Sequence, residues 1–261
     1  MSGVAALPRA VHVFERNAAV YRRTWHGSIF SSFLAPMLFL AAMGVGLGTL
    51  VNRTSGGVDG VSYVAFLAPG LLAANQMQTA AGETTFPVMG KIIWDRTYEA
   101  MLATPLGVRD LLLGELAWVT FRLTLVGAVF VGVMAGFGLI HSPLALLALP
   151  AAVLNGLAFA TPILAFSASR KNDSGFNVLF RFIITPLFLF SGTFFPVDRL
   201  PAFLQPIAWL TPLYHGVELT RGLTLGTLQP LAAAVHVAFL VVVVVIGIVV
   251  ADRTLRRHLV A

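Results

Sequence analysis

The sequence predicts an all-α integral membrane protein with six transmembrane helices, and three observations carry that expectation. Hydrophobic residues make up 57% of the 261 and charged residues 11%, with a mean hydropathy of +0.86. A single soluble core cannot hide that much apolar surface. Six apolar runs, at 29–51, 62–82, 116–140, 144–168, 178–195 and 231–251, approach or exceed the roughly 20 residues that cross a hydrocarbon core. The basic residues sit at the ends of these runs and favour one side.

That bias sets the orientation. With both termini inside, the cytoplasmic side holds Arg9, Arg16, Arg22, Arg23, Lys91, Arg96, Arg109, Arg170, Lys171, Arg253, Arg256 and Arg257, against Arg53, Arg199 and Arg221 outside. A multi-pass protein of the plasma (inner) membrane, with both termini cytoplasmic, is expected. The formal charge of +6 and pI near 10.5 are topology signals scattered along the chain, so no nucleic acid partner is expected. The chain has no cysteine, which removes disulfides, thiolate metal sites and cysteine nucleophiles. Residues 1–261 suit one domain.

Residues 9–26 place Val11, Phe14, Ala18, Tyr21 and Trp25 on one helical stripe, with Arg16, Arg22 and Arg23 off it. This predicts an interfacial helix ahead of the first span. A signal peptide is not expected, because the run at 29–51 is long enough to span and no clear cleavage site follows. Pro36, Pro69, Pro162 and Pro186 fall within spans and predict kinks. Gly44 with Gly48, and Gly132 with Gly136, form G-x-x-x-G pairs that permit close backbone approach. Arg122 and Arg181 lie inside apolar runs near their cytoplasmic ends and are expected to snorkel to that surface.

Three regions carry candidate function. The segment 83–115 holds eight charged residues. Within it Trp94, Tyr98, Met101 and Leu102 share a helical face while Asp95, Arg96 and Glu99 point elsewhere, predicting a short amphipathic helix stopped by Pro105 and Gly107. Such a helix either lies in the headgroups or is a lever pushed by a cytoplasmic partner. In the second span Asn75, Gln78, Thr79 and Gly82 fall on one face. Amides are expensive against lipid, so that face is interhelical glue or a water-filled path. The proline-rich, apolar stretch 196–230 predicts two re-entrant or interfacial helices capping the outer side. One presents Leu200, Phe203, Leu204 and Ile207, and the other His215, Glu218 and Arg221 as a structural cap.

No H-E-x-x-H, G-x-S-x-G or G-x-x-x-x-G-K-[ST] motif is present, so no catalytic residue, metal site or nucleotide loop is expected in this chain. No acidic residue lies midway through a span, which argues against ion coupling. A permease driven by a partner remains, beside a membrane-embedded lipid-modifying enzyme and a non-transporting anchor or sensor for an ATPase.

The stretch PLFLFSGTFFPVDRLPAFLQPIAWLTPLYHGVELTR at 186–221 resembles the C-terminal signature of type-2 ABC exporter permeases. RTYEAMLATPLGVRDLLLGELAW at 96–118 resembles the segment before their third span, and DGVSYVAFLAPG from Asp59 is similar to the nodulation lipo-oligosaccharide export permeases. The resemblance covers nearly the whole chain and extends to related drug-resistance permeases. It implies a dimer of permeases, a second copy of this chain included, with two copies of a separate ABC ATPase that carries the ATP and Mg. It also implies a coupling helix at 96–104 with Arg96, Tyr98, Glu99, Met101 and Leu102 at the ATPase. The cargo implied is an amphipathic substrate, moved between the two subunits within membrane lipid. Asn75, Gln78 and Thr79 would face the path, with Phe194 and Phe195 closing its outer end.

Overall fold

The structure, a computed structural model, describes residues 6–58 and 60–259. α1 (Ala6–Met43) passes through a π-helical turn at Gly44–Gly48 into α2 (Thr49–Ser55). α3 (Tyr63–Thr84), α4 (Phe86–Met89), α5 (Thr97–Leu102) and α6 (Val108–Gly136) follow. Then come α7 (Ala148–Ala168), α8 (Ser174–Leu179) and α9 (Thr185–Phe190). α10 (Gln205–Trp209), α11 (Pro212–Leu225) and α12 (Pro230–Leu259) complete the chain. Among the described residues the sole extended pairing is one bridge between Val58 and Val61.

The protein is thus nearly all helical. Among the described residues four stretches, Met37–Thr54, Val108–Gly136, Pro143–Ala168 and Pro230–Leu259, are long and apolar enough to cross a membrane. The other two runs read from the sequence differ from these. α3 has 22 residues, about 33 Å at 1.5 Å per residue, but Asn75, Gln76, Gln78, Thr79 and Glu83 dilute its apolar character. The stretch Ser174–Phe190 is apolar but shorter, with a π-helical turn at Phe180–Ile184 between α8 and α9.

α7 sits at the centre, packed against α3, α6, α11 and α12. Small residues make this possible. Ala73, Ala74, Ala80 and Ala81 of α3 share a buried cluster with Phe159, Ala160 and Ile163 of α7, so the backbones approach closely without long side chains between them. A Cβ at Gly216 would collide with the Asn155 carboxamide, and one at Gly247 with Thr161. Asn155 Nδ2 donates to the Ala73 carbonyl at 2.9 Å, which joins α7 to α3 where no water competes.

α1 runs alongside α6. Ala10 and Val13 lie against Gly114, the Phe14 ring packs edge-on to Trp118 and Phe121, and Leu40 shares a cluster with Phe130 and Met134. The stretch 9–26 is therefore the first half of a 38-residue helix, with no break before the residues that follow. Its inward face is Ala10, Val13 and Asn17, and Val11 is 48% exposed. Of the stripe read in sequence, Phe14 and Tyr21 still pack on Trp118, while the close contact at Gly114 is made by Ala10 and Val13. The side chains of Trp25 and Pro36, and Asp59, lie outside the described residues. Gly44 and Gly48 both approach Val64 of α3, where an added Cβ would sit 3.2 Å away, whereas Gly132 and Gly136 open onto free space.

The stretch 196–230 departs from the predicted pair of helices. A 3-10 turn at Val197–Arg199 and a five-residue α10 replace the first one. Leu200 is buried while Phe203 and Ile207 are 72% and 59% exposed, so the four apolar residues do not share a buried face. Pro201 and Pro206 keep that helix from starting early, since neither supplies an amide to a preceding turn. α11 forms as expected, entered by Pro212 with Thr211 capping the Tyr214 amide and closed by Gly226 at φ 77°.

Candidate functional site

The charged segment 83–115 is built around two ion pairs. At its start Glu83 Oε1 accepts from Arg122 Nε at 2.8 Å and Glu83 Oε2 from Trp118 Nε1 at 3.3 Å. The Arg122 guanidinium also lies over the Tyr21 ring, 4.4 Å from its centroid. Arg122 is buried and paired, and does not snorkel. α6 begins at Val108, so Arg122 lies about four turns inside it, and the nearest charge is Glu83. Farther on, Lys91 Nζ lies 2.7 Å from both carboxylate oxygens of Glu115. Tyr98 is buried beside this pair; burial pushes its hydroxyl well above the ordinary range, and the Glu115 charge adds to the rise. Arg16 donates to Thr97 Oγ1 at 3.2 Å and Arg9 to the Pro105 carbonyl at 3.1 Å, which secures the segment to α1.

The helix inside this segment is shorter than the sequence predicts. α5 spans Thr97–Leu102, while Trp94 ends a separate π-helical turn at Gly90–Trp94. Arg96 breaks the expected stripe, because it takes a left-handed conformation, φ 47° and ψ 30°, immediately before α5. It is the one non-glycine residue with positive φ among the described residues. Trp94, Asp95, Arg96 and Glu99 consequently face outward, Met101 and Leu102 are half-buried, and Tyr98 roots α5 in the core. Arg96 and Glu99 approach to 3.9 Å in an exposed pair, a contact worth at most about 1 kcal/mol.

On α3, Gln78 is exposed, Asn75 and Thr79 are half-buried, and a Cβ at Gly82 would meet nothing. The polar face thus opens onto the surface of the protomer. Asn75 Oδ1 has no hydrogen-bond partner among the described residues. Phe194 and Phe195 lie nearer the other end of α3 and diverge. The Phe194 ring packs at 5.0 Å from Phe188 and 6.3 Å from Phe39, whereas Phe195 joins Val197, Leu200 and Ala208. Gly70 touches the Thr193 backbone, which puts Gln78 about 12 Å along α3 from this region.

At the 196–230 end, Arg221 is the central pin. Its Nε donates to the Phe66 carbonyl at 3.2 Å, Nη2 to the Gly192 carbonyl at 2.7 Å and Nη1 to Glu218 at 3.0 Å, with the guanidinium 3.8 Å above the Phe66 ring. Thr220 Oγ1 adds a bond to the Pro69 carbonyl at 3.0 Å. These contacts hold α11 to the first turns of α3. His215 Nδ1 meets His236 Nδ1 of α12 at 2.8 Å and stacks on Phe239. Burial first, and His236 second, lower His215 to about 4.

Sequence reasoning did not find the two ion pairs. Their signal was present: Glu83 and Glu115 end apolar runs, and Arg122 is a lone cation inside one, so opposite charges in low dielectric had to meet. Gln76 was missed too. It is fully buried, packs against Gly127 and finds no partner for either amide atom among the described residues.

A family model described as ABC-2 type transporter matches residues 10–225. "Nodulation protein J" of Rhizobium leguminosarum bv. viciae is 37% identical, over 98% of this chain and 99% of its own. "Nodulation protein J" of Rhizobium meliloti (strain 1021) is 34% identical over 98% and 97%. "Inner membrane transport permease YadH" of Escherichia coli (strain K12) is 22% identical over 76% and 75%.

Proposed function

The chain belongs to the ABC-2 type transporter family, and we propose that it is the permease subunit of an ATP-driven exporter in the inner membrane. The cargo is an amphipathic molecule, a lipo-oligosaccharide, another glycolipid or a hydrophobic drug, taken from the cytoplasm or inner leaflet. Two copies of a separate ATPase, which hold the ATP and Mg, dock on the segment 83–115 of two permease copies. The outward group at Trp94, Asp95, Arg96 and Glu99 meets the ATPase, and Tyr98, Met101 and Leu102 anchor that surface to the bundle.

The observation that carries this reading is the bracing of the charged segment. Through Glu83–Arg122 and Lys91–Glu115 a push on α5 reaches α3 and α6 as a rigid displacement, as an ATP-driven rocking motion requires. The open polar face at Asn75, Gln78 and Thr79 suits a path between two subunits, since amides left against lipid are unfavourable. His215, Glu218 and Arg221 close the outer side as a structural cap.

The test is reconstitution with a partner ATPase in proteoliposomes. ATP-dependent movement of a lipo-oligosaccharide or another labelled amphiphile, and co-purification of the ATPase, are expected. Association without transport would identify an anchor or sensor. Absence of both, with lipid turnover by the chain alone, would identify an enzyme.

A further inference from the structure

Beside the Arg221 pin, a cavity of about 430 Å³ opens between α11, the start of α12 and the turn at Val197–Arg199. Its polar lining includes Asp198, Tyr214, Glu218, Arg221, Gln229 and His236. Arg221 directs its donors to the Phe66 and Gly192 carbonyls and to one oxygen of Glu218, so its charge is satisfied within the protein. Glu218 is 37% exposed at its side chain and Asp198 is exposed. Burial first, and the charges of Glu218 and Asp198 after it, raise the Tyr214 hydroxyl above its ordinary value. His236 has Nδ1 engaged by His215, which fixes its ring and leaves Nε2 as its remaining polar atom. Two carboxylates against one internally paired guanidinium leave the cavity net negative. Its free groups are mainly acceptors set around an aromatic ring.

An anion is repelled by this lining, and a neutral polyol leaves the excess charge unmatched. A compact cation with several N–H donors satisfies both carboxylates and packs on Tyr214. We propose that this cavity binds a protonated primary amine, with Asp198 and Glu218 as the charge partners. The amine comes either from an amino sugar of the exported molecule or from a phosphatidylethanolamine lipid. The inference rests on the exporter reading for the side to which the cavity opens and for the amino sugar as a source.

The test uses the permease alone, without an ATPase, in phosphatidylcholine nanodiscs, so that failure of the transport reading leaves it intact. Glucosamine is titrated against N-acetylglucosamine, which lacks the charge. Glucosamine is expected to bind at least tenfold more tightly, and Asp198→Asn and Glu218→Gln should each weaken it by about tenfold. Asp198 is exposed, so its variant keeps the fold if loss of the Glu218–Arg221 pair does not. Equal binding of the two sugars, or binding of glucosamine unchanged in both variants, overturns the proposal. In discs containing phosphatidylethanolamine, loss of glucosamine binding identifies the lipid as occupant. Unchanged binding identifies the sugar amine.

Discussion

Removal of the Lys91 ammonium tests the bracing of the 83–115 segment most directly. In Lys91→Met the Glu115 carboxylate loses a cation 2.7 Å from both of its oxygens, at a place where the two side chains are only 15% and 3% exposed. Breaking one end of a buried pair destabilises by about 3–5 kcal/mol, because the other charge stays desolvated and unmatched. The lower end applies here, about 3 kcal/mol, since the lysine retains some solvent. Replacing both ends removes the stranded charge, so Lys91→Met/Glu115→Leu should recover most of the loss. Thermal unfolding of the detergent-solubilised variants, followed by fluorescence-detected gel filtration, gives the comparison. A single variant as stable as the parent, or a double variant no better than the single one, would refute the reasoning.

Reversing Glu99 to Arg should abolish ATPase co-purification while the helices still insert, since like charges at a complementary contact cost up to several kcal/mol; normal association and transport would count against a coupling role. Gln78→Leu should slow transport and leave dimer assembly intact, whereas failure to dimerise would assign that face to packing between subunits. Cysteines placed at Gly56 and His258 should respectively label and resist an impermeant reagent in intact cells, and the reverse pattern would invert the topology. His215 is held at about 4, below its ordinary value of about 6.5, so its stabilising neutral form is complete above pH 6.5. That contribution is lost as pH falls from 6.5 towards 4. The thermal midpoint should drop across this window, and His215→Gln should flatten the drop; an unchanged slope would remove His215 from the account.

The helical class was legible because composition and run length act over the whole chain and need no partner. α11 was legible for a local reason, with Thr211, Pro212 and Gly226 marking its two ends. The continuity of α1 was not, because the surface it packs along is that of α6 around Gly114 and Trp118, some hundred residues away. The same holds for α5: periodicity joins Trp94 to Tyr98, and only the backbone reversal at Arg96 separates them. The candidate residues divide along the same line. Arg96 and Glu99 stand outward as their charge suggested, while Tyr98 is buried among Val88, Ile92, Leu111 and Leu112, residues brought together only by the fold.

The left-handed turn at Arg96 has one more consequence. A side chain there pays about 1–2 kcal/mol that glycine would avoid, and the exposed partner Glu99 at 3.9 Å returns little of it. Within the isolated protomer, then, arginine is the poorer occupant. If the ATPase docks there as proposed, this outward kink is a fixed prow, already shaped before the partner arrives. An ATPase meeting it would not have to order that turn on docking, so less of the contact energy would go into shaping the junction and more would be left to move the helices behind it.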